Sequence, residues 1–417
     1  MPGRVDLTAA MSVDPPGDRL RLVRLSRGLT QEGLAERSGL SLGVVKKIER
    51  GGSARLETYH ALARALNVRT SALLEASGPH RTRRGDDDNL GLMPLRQAIA
   101  PAVSLSGRLR AGGAADVEPD PDHLERTARA VAVAYHRDDY GTVAGLLPAL
   151  VLSAHATVEH FDNGEERTRS LRVRSDILQM AGRYLTQVRA YDLAHTALRD
   201  AIQDAVSVDD KGLVAAAVYQ QGWLLMRQGR LDEAEKVSVA TAEAVEPRLS
   251  QASRKSLGAW GKLLVHGSAA AARNNRPQEA REMLRLGRAA GAALGGSSAV
   301  AESSWGRFDW RTVAYQGIEN QLVADKPDRV LRLSERMAEP TSAVSMRRHL
   351  LDVAQAHAML RQPDQALGIL SLLLTETPEW LRHQRMASQT WQDAVRVGKK
   401  RRVTTRQREL AEFFDVA

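Results

Sequence analysis

Residues 29–51 read LTQEGLAERSGLSLGVVKKIERG, and this stretch decides the fold of the N-terminal part of the chain. The Thr30 hydroxyl can cap a helix over residues 31–38, because it accepts a hydrogen bond from a free N–H group of the first turn. Gly39 begins a tight turn, and Ser41 caps a following helix that ends at 50–52. Two short helices joined by a glycine-containing turn predict a helix-turn-helix, whose second helix enters the major groove of DNA.

Three further helices are predicted around this pair. They begin at Asp18, at about Leu56 and at Thr70. The five helices make residues 17–77 one DNA-binding domain, preceded by a flexible leader at 1–16. Residues 39–43 also match the G-x-S-x-G nucleophile elbow, but that motif follows a strand. A helix precedes it here, so the match does not indicate a hydrolase.

The string at 29–41, followed by Ile48-Glu49-Arg50-Gly51, closely resembles the phage-repressor-like XRE family of helix-turn-helix regulators. The resemblance implies a buried ion pair between Arg24 and Glu49. Such a pair orients the recognition helix more than it adds stability, because burying two charges offsets most of their attraction. The alternative to the ion pair is that Arg24 and Glu49 are two solvated surface charges. The alternative to the DNA-binding domain is a helical domain that has lost DNA binding.

The resemblance also implies the contacts to double-stranded DNA. Thr30 and Gln31 would meet a phosphate at a helix N-terminus. The exposed face of the recognition helix would comprise Ser41, Leu42, Gly43, Val44, Lys46 and Lys47. Its three apolar positions cannot hydrogen-bond base edges, which leaves Lys47, with Lys46, as the polar reader. Arg50 and Arg55 are expected on phosphates, and DNA shape and dimer spacing would supply the remaining specificity.

Composition and charge fit this interpretation. Helix-forming residues dominate the 417-residue chain, and aromatic residues make up only 4%. The chain has a net charge of +9, of which residues 1–85 carry 15 − 8 = +7 and residues 394–408 carry 7 − 0 = +7. Two basic ends around an acidic body favour a polyanionic partner.

Other function classes find little support. The chain has no cysteine, no secretory signal is visible, and no run approaches the roughly 20 apolar residues of a membrane span. We therefore expect a cytoplasmic protein with no membrane contact. His155 and His160 are five residues apart, about 140° around a helix, so they cannot share a metal. No catalytic constellation or phosphate loop is present, and we expect no enzyme, metal or cofactor.

The rest of the chain is predicted as an α-solenoid, which makes the fold class all-α. Residues 78–122 are interpreted as a linker with a short helix. Helical hairpins recur over 123–397, with equivalent positions at 143, 194, 234, 280, 330 and 366. These hairpins resemble degenerate tetratricopeptide repeats, and the combination with an XRE-type domain resembles a group of actinobacterial regulators. Stacked hairpins form an extended concave surface for binding. Residues 398–417 are a basic tail whose helix caps the last hairpin; alternatively, residues 399–402 contact nucleic acid.

An aromatic cluster with polar neighbours marks a candidate effector site for a peptide or small molecule. Its residues are Trp305, Phe308, Trp310, Gln316, Asn320, Arg347 and His349. The alternative is that these aromatic rings pack between helices. Trp223 and Trp260 are expected in the core.

These features predict a homodimeric transcription regulator that binds an inverted-repeat operator and responds to an effector bound in the repeats. The rival hypothesis is a repeat-based interaction scaffold with weak or non-specific DNA binding. The apolar positions 42–44 of the recognition helix keep this rival open.

Overall fold

The computed structural model describes residues 16–74, 90–104, 107–108, 119–295, 301–303, 306–337, 343–397 and 405–414. α-Helices dominate these residues, and the strands form only two short antiparallel pairs, so the predicted all-α class is confirmed. The predicted leader (except Pro16) and most of the predicted linker at 78–122 lie outside the described residues.

Five helices form the N-terminal domain, called the head here (residues 16–74). They are α1 (Pro16–Ser26), α2 (Gln31–Ser38), α3 (Leu42–Glu49), α4 (Leu56–Leu66) and α5 (Thr70–Leu74). Leu20, Leu34, Ile48 and Leu62 are almost fully buried in its core. The first helix begins at Pro16, so Asp18 lies in its first turn rather than at the cap.

Six helical hairpins follow, called the array here. They are α7 (Pro121–His136) with α8 (Tyr140–His160), α9 (Gly164–Gln187) with α10 (Tyr191–Ser207), α11 (Lys211–Gln228) with α12 (Leu231–Ala244), α13 (Arg254–Arg273) with α14 (Pro277–Ala293), α15 (Trp310–Val323) with α16 (Pro327–Ser334), and α17 (Ala343–Met359) with α18 (Pro363–Glu376). The helix α6 (Met93–Ile99) precedes them, and α19 (Pro378–Arg382), α20 (Arg385–Val397) and α21 (Thr405–Phe413) follow. Strands β1 (Val103–Ser104) and β2 (Gly107–Arg108) form one pair, and β3 (Ala301–Ser303) and β4 (Gly306–Phe308) form the other.

One turn geometry joins the two helices of all six hairpins. Each turn has a left-handed residue with φ between 57° and 80°: Asp138, Arg189, Gly229, Asn275, Asp325 and Arg361. The next N–H donates to the carbonyl five residues earlier, as from Arg230 to Leu225 at 3.0 Å. Five positions after each left-handed residue stands a buried Ala or Val: Val143, Ala194, Ala234, Ala280, Val330 and Ala366. The periodic positions read from the sequence therefore mark one repeated turn.

The array curls until its two ends meet. First helices of successive hairpins pack on one another and line the inner side. Arg347 on α17 donates a hydrogen bond to Asp138 in the first hairpin turn. The His383 ring lies 5.5 Å from the Tyr140 ring, between centroids. The first hairpin and the C-terminal end of the array are therefore in direct contact.

Both ends of the array are covered. Leu95 and Ile99 of α6 are buried in the same core as α8, so this core begins upstream of residue 123. At the other end, Leu410 is fully buried beside Trp391 and the half-buried Phe414, as expected for a capping helix. The basic residues 399–402 lie outside the described residues.

The helix α8 is long and apolar enough to cross a membrane by length and composition, with a mean hydropathy of 1.5. The sequence predicted no membrane-spanning segment, because small and polar residues interrupt the apolar run of this helix. Val143, Leu147 and Val151 on α8 are fully buried in the array, as in the core helix of a helical bundle.

Candidate nucleic-acid interface

Arg24 and Glu49 form an ion pair inside the head. Arg24 Nε lies 2.6 Å from Glu49 Oε1, and the two side chains are only 8% and 3% exposed. Gln31 Nε2 donates to Glu49 Oε2 at 2.6 Å. Burial raises the pKa of Glu49, but the hydrogen bonds from Arg24 and Gln31 outweigh it and hold that pKa below its usual value. One carboxylate therefore ties the recognition helix α3 to both α1 and α2.

The first turn of α2 keeps the features of an anion site. Thr30 Oγ1 accepts from the Gly33 N–H at 3.0 Å and caps the helix. The Gln31 side chain does not stand free, as a simple phosphate contact would, because its amide is held by Glu49. Its carbonyl oxygen and its second N–H stay available, so Gln31 both positions α3 and lies at the candidate phosphate site.

The exposed face of α3 is narrower than the sequence predicted. Leu42 and Val44 are half-buried against the head core, which corrects their assignment to the exposed face. Their apolar side chains turn inward beside Val45 and Ile48, as helical periodicity requires. The residues left on the exposed face are Ser41, Gly43, Lys47 and Arg50, with Lys46 half-exposed beside them.

Two side chains on this face are free for contacts. Ser41 stands at the N-cap of α3 without a side-chain capping bond, so its hydroxyl is available at a helix N-terminus. The stem of Lys47 runs over Gly52, where a Cβ would lie 2.6 Å from Lys47 Cγ. Only glycine fits beneath this stem, and Lys47 stays exposed.

A different side of the head, formed by α4, α5 and the loop between them, docks on the array. His60 Nδ1 lies 2.6 Å from the Arg273 carbonyl oxygen, and its Nε2 lies 2.9 Å from the Val323 carbonyl oxygen. Thr70 Oγ1 donates to the same Arg273 oxygen at 2.7 Å. Burial lowers the pKa of His60, and the carbonyl contacts oppose that shift. One imidazole thus bridges the turns of the fourth and fifth hairpins.

Asparagines of the fourth hairpin turn complete this contact. Asn274 Oδ1 accepts from the buried Ser71 N–H at 2.9 Å, and its Nδ2 donates to Asp232 Oδ1 at 2.8 Å. Asn275 Nδ2 donates to the Val68 carbonyl oxygen at 3.1 Å. This surface was not predicted from the sequence. One feature of the sequence could have indicated it: His60 stands on the face of the amphipathic helix α4 that is otherwise apolar.

Charged pairs surround the docking contact. Arg64 lies 3.1 Å from Asp325, and Arg69 lies 3.5 Å from Asp232. Arg55 was expected on a DNA phosphate. It lies close enough to Asp393 on α20 for its charge to lower the pKa of that carboxyl, against the larger effect of burial. Arg55 is therefore a charge on the array side of the head.

The described members of the predicted effector set do not come together in one site, which corrects the assignment for these residues. Phe308 is fully buried against Gly261, where a Cβ would lie 2.1 Å from the Phe308 ring. Trp310 is on the outside of α15, and its backbone packs on Gly291. Trp305 lies outside the described residues.

The polar members of that set are held by other residues of the array. Gln316 donates to Asn320 at 3.0 Å, and Asn320 donates to Ser268 at 2.9 Å. Arg347 is bound to Asp138. Packing against Tyr315 buries the His349 ring and lowers the pKa of that histidine to about 4. These polar side chains therefore stabilise the array.

Among the described ranges, no group of three His, Asp or Glu side chains could hold a metal ion.

In a comparison with protein families, residues 20–73 match the model of the helix-turn-helix family of XRE type. No curated protein matches the chain. The match covers the head alone, so the tetratricopeptide and actinobacterial resemblances stay predictions. The chain carries a helix-turn-helix domain of the kind found in DNA-binding transcription regulators.

Proposed function

We propose that the protein is a sequence-specific transcription regulator that binds an inverted-repeat operator as a homodimer and is controlled by an effector bound in the array. One observation carries the proposal. The family match falls on residues 20–73, and Ser41, Gly43 and Lys47 of the face of α3 that the sequence predicts for DNA stay exposed while the head is docked. Two recognition helices would lie in successive major grooves, about 34 Å apart.

A polar path from the head into the array supports control by an effector. Arg273, whose carbonyl accepts from Thr70, binds Glu319 through its guanidinium group. Arg348 on α17 donates to the same Glu319 oxygen at 2.8 Å and lies 3.4 Å from Asp352. The charges of Arg273 and Arg348 overcome burial and lower the pKa of Glu319 to about 2. A change in the interior that moves α13 or α17 would therefore reach the docked head.

Selection of bound sequences from a random DNA pool tests the proposal. Wild type, Lys47→Ala and the matched control Lys236→Ala are compared at near-physiological salt. Lys236 is an equally exposed lysine on α12. We expect a palindromic motif for wild type and control, and loss of preference at particular bases in Lys47→Ala. The absence of any motif, with binding that disappears as salt rises, would favour the scaffold hypothesis instead.

A further inference from the structure

Three cationic side chains of three successive hairpins lie on aromatic rings along the inner side of the array. Arg183 Cζ lies 5.5 Å from the centroid of Tyr135, and Arg227 Cζ lies 5.2 Å from that of Trp223. Lys262 Nζ lies 5.6 Å from the centroid of Tyr219. These six residues are called the interior site. Trp260 is buried as expected, but Trp223 is half-exposed and so differs from its predicted core role.

The cations of the interior site are buried among like charges. Arg183 and Lys262 are only 9% and 6% exposed. Burial, with the charge of Arg183, lowers the pKa of Lys262 to about 7. Burial lowers the pKa of Arg227 to about 10, with further contributions from Arg348 and Arg189. Burial is the larger cause of both shifts, and like charges add to it, from Arg183 on Lys262 and from Arg348 and Arg189 on Arg227.

The described carboxylates near this space are already bound elsewhere. Asp138 is held by Arg347, and Glu319 is held by Arg273 and Arg348. No described carboxylate lies within ion-pair distance of Arg183 or Arg227. A buried charge without a counter-charge is costly, so an added anion would relieve the repulsion.

The two tyrosines of the interior site are half-buried residues of the array. Burial raises the pKa of Tyr135 to about 12 and also raises that of Tyr219. The pair β3–β4 packs on α13, and a Cβ at Gly306 would lie 3.0 Å from Lys262 Nζ. The β-hairpin thus bounds the interior site on one side.

We propose that the interior site binds a small organic anion, with its carboxylate or phosphate among Arg183, Arg227 and Lys262 and its apolar body on the aromatic rings. Arginine forks suit either acid group, and the rings supply a flat apolar surface. The site deepens the proposed function, because its occupant would be the effector. The effect of the anion on DNA binding rests on the proposed function. Binding of the anion to the interior site does not depend on that function.

Titration calorimetry on the full chain tests the site with benzoate and phenyl phosphate, and with benzyl alcohol as the neutral analogue. We expect binding of at least one anion and at least tenfold weaker binding of benzyl alcohol. Comparison of the two anions identifies the acid group. No detectable binding of either anion, or equal binding of the alcohol, would overturn the proposal.

Two variants assign the site to its residues. Arg183→Met and Arg227→Met keep an unbranched apolar stem and remove the charged guanidinium group. We expect each to weaken anion binding at least tenfold, and Arg199→Met, at an exposed arginine of α10, to bind as wild type does. The unliganded melting temperature should stay level or rise in the two interior variants, because repulsion is relieved. Unchanged anion binding in both, or a melting temperature that falls as it would for purely structural arginines, would refute the assignment.

A separate measurement distinguishes anion binding at the interior site from control of DNA binding by that anion. DNA affinity is measured with and without the bound anion. A change supports the effector role. Unchanged DNA affinity at saturating anion leaves the interior site standing and removes only its regulatory consequence.

Discussion

Truncation of Asn274 should loosen the head from the array. Its side chain is fully buried and is the partner of the Ser71 N–H, itself buried at the first turn of α5. Asn274→Ala leaves that N–H without its acceptor, and an unsatisfied buried donor costs about 1–3 kcal/mol. This loss corresponds to a roughly 5- to 150-fold increase in the population with the head undocked.

Hydrogen exchange of the full chain, read by mass spectrometry, measures this opening. The peptide that spans Ser71 should take up deuterium faster in Asn274→Ala by about that factor. The control Asn163→Ala removes an exposed asparagine at the N-cap of α9 that makes no capping bond, and should leave the peptide unchanged. Equal exchange of the Ser71 peptide in wild type and Asn274→Ala would refute the docking contact.

Three further predictions concern stability. Gly261→Ala places a Cβ 2.1 Å from the Phe308 ring, so we expect about 1–3 kcal/mol lower stability in denaturant unfolding, with a smaller loss in a Phe308→Leu background. Glu49→Ala leaves the buried Arg24 guanidinium without its carboxylate and should destabilise the head by about 3 kcal/mol, seen as faster exchange of α3 amides; unaltered exchange would contradict the pairing. Burial lowers the pKa of His266 from 6.5 to about 4, so between these pH values the unfolded chain binds a proton that the folded chain does not. Stability should therefore fall as pH falls through this window, by up to about 3 kcal/mol, and His266→Gln should show a shallower pH dependence in thermal unfolding.

Local sequence signals predicted the elements well. The cap at Thr30 and the helix at 56–66 appear as expected, because capping and helical periodicity act within a few residues. The six equivalent positions of the array were also readable, because every hairpin turn has a buried Ala or Val five positions after its left-handed residue.

Contacts between distant residues were harder to predict. The docking of His60 joins residues more than 200 positions apart, and an imidazole in one helix does not reveal which carbonyl oxygens it meets. The effector site predicted at the aromatic cluster was wrong for a similar reason. Phe308 and Trp310 are two residues apart in the chain, but the end of β4 directs one ring into the core and the other outward. A ligand site that is built from several hairpins depends on how the hairpins pack on one another. Local sequence patterns do not predict this packing.

The curl of the array links the two proposals physically. The helix α13 carries Lys262 on its inner side and, at its C-terminal end, the Arg273 carbonyl on which His60 and Thr70 rest. The helix is buried along most of its length, so a shift at one end is transmitted to the other. A ligand alters the position of the head only if it prefers one arrangement of the hairpins. The cations of the interior site give an anion that preference, because it binds most strongly where they lie closest together. A neutral ligand of the same shape lacks this differential affinity and should leave the head where it is.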